Sequence, residues 1–237
     1  MSNAVYAALS RQTALDRELS MIANNVANAN TTGFRREEPI FTEYVRRLLD
    51  SPSISETRIG ASAFGEEQGE FIETKSPLDI AIEGPGWFQV ETPRGERLTR
   101  AGTFLRNPDG ALTTPAGNPV SGEGGPIRLP AEASRIVIAE DGTVSADGAP
   151  IGRIALFTAD PTTLVREGDT LFRSTGEVTA LDNPKVRQGF LEGSNVNAVF
   201  EIAHLIEVQR AFEMSQQLVV KEDDRIKRAI ETLGGAG

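Results

Sequence analysis

The stretch that decides the fold is VNAVFEIAHLIEVQRAFEMSQQLVVKEDDRIKRAIETL, Val196 to Leu233. From Ile202 it carries a ladder of Ile202, Leu205, Gln209, Phe212, Gln216, Val219, Asp223, Ile226, Ile230 and Leu233. The steps alternate three and four, which is a heptad seam rather than a diffuse amphipathic face. No Gly or Pro interrupts it before Gly234, so a helix about 50 Å long is expected. Gln209, Gln216 and Asp223 are polar rungs, better suited to setting register than to adding stability. Such a seam needs a second helix beside it.

The other end of the chain supplies one. Val5, Ala8, Gln12, Leu15, Leu19, Ile22, Val26 and Ala29 repeat the same alternation, flanked by Arg11, Asp16, Arg17 and Glu18. Ser2 or Asn3 is placed to cap this helix. Two heptad helices at opposite ends predict an antiparallel coiled-coil pair that closes the molecule, the competing reading being two unrelated surface helices. The first helix ends in an unusual run, with Asn24, Asn25, Asn28 and Asn30 within seven residues. Asn is a poor helix former, so these amides read as a frayed end or as members of a polar interface. Gly33 suits a left-handed cap, and Phe34 the apolar contact that follows one.

Between the helices the character changes. Residues 35–75 read as an extended connector, with a short helix over Ile40 to Leu49 (Phe41, Tyr44, Val45, Leu48) and a Ser-, Gly- and Glu-rich stretch from Ser51 to Gly69. Residues 76–190 read as a β domain. Its strand candidates are Leu78–Glu83, Trp87–Glu91, Arg97–Arg100, Thr103–Arg106, Ala111–Thr114, Arg135–Ala139, Thr143–Ser145, Arg153–Thr158 and Thr170–Arg173. Frequent turn signals separate them, among them Asn107-Pro-Asp-Gly110, Asp141-Gly142 and Asp147-Gly148. The fold class expected is therefore α+β. Residues 1–34 and 191–237 form the helical domain, and an inserted antiparallel β domain forms an irregular barrel or sandwich.

Composition removes several functions. The 237 residues carry a net charge of -10, the wrong sign for a nucleic-acid partner. There is no cysteine and one histidine, His204, so thiolate sites and multi-histidine metal sites lack material. No run reaches the roughly 18 apolar residues of a membrane span. Residues 1–20 lack the pattern of a signal peptide, so if the chain leaves the cytoplasm the expectation is that it does so without a conventional cleaved signal. The two Asp-Gly pairs fit hairpin turns; a calcium loop is the alternative, but the EF-hand pattern is absent. Asp79, Glu83 and Asp109 leave a glycosidase-type carboxylate pair open. His204 has Glu201 as its neighbour one turn back.

Three segments then point to one family. Ala23-Asn-Asn-Val-Ala-Asn-Ala-Asn-Thr-Thr-Gly-Phe34 resembles the N-terminal signature of the bacterial flagellar rod and hook proteins. Ser76-Pro-Leu-Asp-Ile-Ala-Ile-Glu-Gly-Pro-Gly-Trp-Phe-Gln-Val90, with Leu98-Thr-Arg-Ala-Gly-Thr-Phe104, resembles the start of that family's β domain. Gln188-Gly-Phe-Leu-Glu-Gly-Ser-Asn-Val-Asn197 and Gln209-Arg-Ala-Phe-Glu213 resemble its C-terminal signature. Gly86-Trp87, Gly122-Glu-Gly-Gly-Pro-Ile127 and the modest length favour its proximal-rod branch; the distal-rod branch usually has Gly-Phe-Phe at Gly86-Trp87-Phe88.

The resemblance implies a structural subunit of the periplasmic rod of the flagellar basal body, delivered by the flagellar type III export apparatus. It implies other rod proteins and copies of the same chain as partners, with the terminal helices as an inner tube and the β domain outside. No catalytic residue, cofactor, metal, membrane insertion or small-molecule substrate is expected. The assembly interface expected comprises both seams together with Asn25, Asn28, Asn30, Gly33, Phe34, Asn195 and Asn197. Three other readings stay open: the distal-rod protein, a wall-cleaving hydrolase using Asp79 and Glu83, and a secreted coiled-coil effector.

Overall fold

The computed structural model describes the backbone of residues 3–48, 51–65, 67–168 and 170–234, with side chains outside 3–7, 41–61, 229–230 and 233–234. The chain is α+β and divides into two compact units. One comprises Met1–Ala27, Glu37–Ala63 and Asn197–Gly237; the other comprises Asn28–Arg36 and Phe64–Val196.

The first unit contains helix α1 (Asn3–Ala27), helix α2 (Ala198–Gly234) and two long strands, β1 (Glu37–Leu48) and β2 (Ser51–Phe64). The helices pack against each other. Three bonds, from the α1 segment at Ala8, Glu18 and Asn25 to Ser215, His204 and Glu201 of α2, set their directions as antiparallel. Strands β1 and β2 pair as a ribbon. Only two residues separate them, so the pairing is a hairpin, since parallel strands need a crossover. This corrects the expected short helix and connector. Phe41, Tyr44, Val45 and Leu48 are spaced for a helix, but Ile40, Phe41, Thr42, Tyr44 and Val45 are β-branched or aromatic and favour pleated backbone.

The second unit is the β domain. Its main sheet has six antiparallel strands in the order Leu164–Arg166, Leu171–Ser174, Gly95–Thr99, Trp87–Thr92, Leu156–Ala159 and Val178–Ala180. A three-stranded antiparallel sheet joins Ile136–Ile138, Thr143–Ala146 and Ala149–Arg153. Alternate strand residues fill one core, which includes Ile80, Ile82, Phe88, Val90, Phe104, Leu112, Val120, Ile154 and Leu156. The expected strand over Arg153–Thr158 is two strands, Ala149–Arg153 and Leu156–Ala159, with Ile154 and Ala155 buried between them.

The turn chemistry is what the Asp-Gly pairs demand. Asp147 and Gly148 both take positive φ, 49° and 88°, and join strands in register at Ala146 and Ala149. That is the two-residue hairpin whose twist matches the strands. The Asp147 carboxylate accepts from the Ser134 and Arg135 amides, and that of Asp141 from the amide and hydroxyl of Thr143. The Asp141 carboxylate thus serves its own turn, and that of Asp147 holds the chain entering the strand Ile136–Ile138.

Candidate assembly interface

Helix α2 begins at a capping side chain. The Asn197 amide oxygen accepts from the backbone N–H groups of Val199 at 3.1 Å and Phe200 at 3.3 Å, satisfying two of the orphan donors of the first turn. The helix then buries Glu201, Val208 and Ser215 against α1, while Leu205, Phe212, Val219 and Ile226 are half-buried. On α1 the buried line is Ala14, Glu18, Ile22 and Asn25, with Ala8, Gln12, Leu15, Leu19 and Val26 half-buried.

The packed line within the pair is therefore offset from the expected ladders. Glu201, Val208 and Ser215 take the places expected for Ile202, Gln209 and Gln216, and Ala14, Glu18 and Asn25 stand one position before Leu15, Leu19 and Val26. Ile202, Gln209, Gln216 and Asp223 are exposed. Leu205, Phe212, Val219 and Ile226 stay on the packed side, so only the alternate rungs are displaced, each by one residue or about 100° of helix. Val5, Ile230 and Leu233 lie outside the residues whose side chains are described.

The polar groups that do enter the pair are all engaged. Glu18 meets Nε2 of His204 at 3.1 Å, and Glu207 stands 3.8 Å from the other ring nitrogen. The neighbour of His204 is thus Glu18 of the facing helix. Glu201, the residue expected there, accepts instead from Nδ2 of Asn25 at 3.3 Å. Asn25 is 1% exposed. Its oxygen accepts from the Glu37 amide at 3.0 Å and its nitrogen donates to the Glu37 carbonyl at 2.9 Å, tying α1 to β1.

The other asparagines divide between local and long-range work. Asn28 accepts from the Thr31 hydroxyl at 3.0 Å, and Asn30 is exposed. In the β unit, Asn195 accepts from the Arg36 amide at 2.6 Å and donates to the carbonyl oxygens of Gly65 and Glu67. Gly33 has φ 71°, and a Cβ there would stand 2.3 Å from the Ala101 nitrogen. Phe34 is fully buried, with the Arg166 guanidinium 4.3 Å from its ring centroid; the same cation lies over Phe64 and Phe172.

Away from the pair, α2 leaves an apolar surface uncovered. Val199 is 76% exposed and Phe200 73%, and Ile202, Ile206, Met214, Leu218 and Val220 are exposed as well. Patches of this kind mark interaction sites. The carboxylates considered for hydrolysis are separated in character: Asp79 is buried and Glu83 exposed. Two clefts of about 410 Å³ each open in the β unit, and neither carboxylate lines them. Among the described residues no helix is long and apolar enough to cross a membrane.

The chain thus carries a β domain inserted in sequence between two helices that pair, one of which leaves an apolar face exposed. Family profiles match it in three places and in order. They are the "Flagella basal body rod protein" profile over residues 5–35, the "Flagellar hook protein FlgE/F/G D1 domain" over 81–146, and the "Flagellar basal body rod FlgEFG protein C-terminal" over 187–232. The chain is 39% identical to the flagellar basal-body rod protein FlgF of Caulobacter vibrioides, over 99% of both chains. It is 36% identical to FlgF of Escherichia coli over 98% of this chain and 99% of that one. The rod protein FlgG of Agrobacterium fabrum is 37% identical over 87% of this chain and 90% of its own. The chain belongs to the flagellar basal-body rod protein family, and its full-length likeness is to the FlgF type.

Proposed function

We propose that this chain is a structural subunit of the proximal rod of the bacterial flagellar basal body, part of the shaft that carries torque from motor to hook. The observation that carries the reading is the end-to-end match to FlgF-type rod proteins. The bare face of α2 supports self-assembly: a helix apolar on two sides and covered on one has a second side for neighbouring subunits. In this reading the terminal helices of adjacent copies and of other rod proteins pack as coiled coils into an inner tube, with the β unit outside. Gln209, Gln216 and Asp223, exposed beside that bare face, set register between subunits. Ile202 belongs to the same face of α2. The chain reaches the periplasm through the flagellar type III apparatus.

The test is a charge placed on the helices. Phe212→Asp or Leu15→Asp is expected to abolish swimming and to remove the chain from purified basal bodies, with the melting of the β unit unchanged. Normal swimming by cells carrying either substitution overturns the proposal. Imaging of labelled basal bodies separates a proximal from a distal position along the rod.

A further inference from the structure

The chain enters or leaves the β unit at four places, beside Asn28, Arg36, Phe64 and Val196. One buried carboxylate links residues close to the last three. Glu192 Oε1 lies 2.7 Å from Arg35 Nη2, and Oε2 lies 3.0 Å from Arg100 Nη1. The side chains of Glu192, Arg35 and Arg100 are only 1%, 3% and 5% exposed. Glu192 also accepts from the Gly69 amide at 3.3 Å and the Gln68 side chain at 3.4 Å, and its carbonyl accepts from the Gly33 amide at 2.7 Å. Arg35 reaches on to the carbonyls of Gly65 and Glu67. Asn195 closes the ring from the surface side by joining Arg36 to Gly65 and Glu67.

We propose that Glu192 is a positioning residue for rod assembly, a buried ionic clasp that fixes side by side, within the β unit, the chain at three of the four places where it crosses that unit's boundary. This rests on the reading of the chain as a rod subunit. Stability alone does not account for two cations and one anion withdrawn from water, because well-packed apolar residues of similar size hold such positions as well or better. Burial lowers the Arg100 pKa to about 10 even beside Glu192, the direction expected for a cation withdrawn from water. What a buried ionic set supplies is exclusivity. A segment that slips by one residue leaves a charge uncompensated, among the costliest defects a fold can carry. The carboxylate arrives from the far end of the sequence, so residues 33–36, 65–69 and 100 close only once residues 192–195 have docked.

The experiment uses the full chain. Glu192→Gln is expected to lower the melting temperature of the β unit and to cut incorporation into basal bodies at least tenfold. The triple substitution Arg35→Met, Arg100→Met, Glu192→Leu is expected to restore melting to near the parent value while incorporation stays at least tenfold down. Parental incorporation by the triple variant overturns the positioning role, as does a Glu192→Gln chain that melts and incorporates like the parent. Should the triple variant not fold, Asn195→Ala decides. It is expected to melt near the parent, to speed amide exchange at Arg36 at least tenfold, and to incorporate poorly; unchanged exchange or incorporation overturns the proposal. Absence of the parent chain from basal bodies would instead sink the rod assignment, leaving the exchange result to judge the clasp.

Discussion

Asn25 shows what a single buried amide does in this protein. Its three hydrogen bonds satisfy both backbone groups of Glu37 and one oxygen of Glu201. Removing it takes away all three, and losing hydrogen bonds in a buried setting costs about 1–3 kcal/mol. Asn25→Ala should therefore lower the unfolding free energy of the helical unit by about that amount, measured by denaturant titration of its helix signal. Glu167 offers a residue-scale test in pH. Hydrogen bonds from Arg173 and then Arg97 hold its carboxyl below its ordinary value of 4.5. A carboxyl depressed on folding adds stability that is complete above its unfolded value and fades as pH falls through the folded one. The difference in melting temperature between the parent and Glu167→Gln should thus be full at neutral pH and shrink as the medium is acidified below 4.5.

At the scale of elements, the two helices and most strands were legible from spacing and turn residues. The buried line of the helix pair was not. One residue is 100° of arc on a helix, so apolar counting located the packed side but not which of two adjacent rows faces the partner. Glu18 reads as a flanking residue and Glu201 and Ser215 lie off the ladder, yet all three are inward because His204, Asn25 and the Ala8 carbonyl stand opposite them. Val208→Asp should break the pair, at a cost of roughly 3 kcal/mol or more for an unpaired charge in an apolar site. Gln209→Ala, one residue on and exposed, should leave the helix signal of the free chain unchanged and lower incorporation into the rod. Equal helix loss in the two variants would place the packed row wrongly. The β1–β2 ribbon was missed for a different reason: a short apolar run in a Ser- and Glu-rich stretch carries no period strong enough to separate strand from helix.

For the whole molecule, the two units should differ in how much they depend on company. The β unit has its own core. The helical unit leaves α2 bare on one side, and long helices draw their stability from packing. Binding partners that engage only the ordered form stabilise it by mass action. Amide exchange on the free chain should be faster over residues 198–233 than over the β core, and should slow on assembly. Equal protection in the free chain would refute assembly-coupled ordering.

By itself, the order of residues was enough to establish two long helices at the ends, an antiparallel β domain between them, and membership of a flagellar rod family, because periodicity, turn chemistry and signature segments are local properties. The buried rows of the helices, the pairing of β1 with β2, and the meeting of Arg35, Arg100 and Glu192 are not local. Each depends on a partner supplied from elsewhere in the chain, and for Arg35 and Glu192 that partner is more than 150 residues away. Whether a polar side chain is a solvated flank or the centre of a clasp is settled only when folding brings its donor and acceptor together.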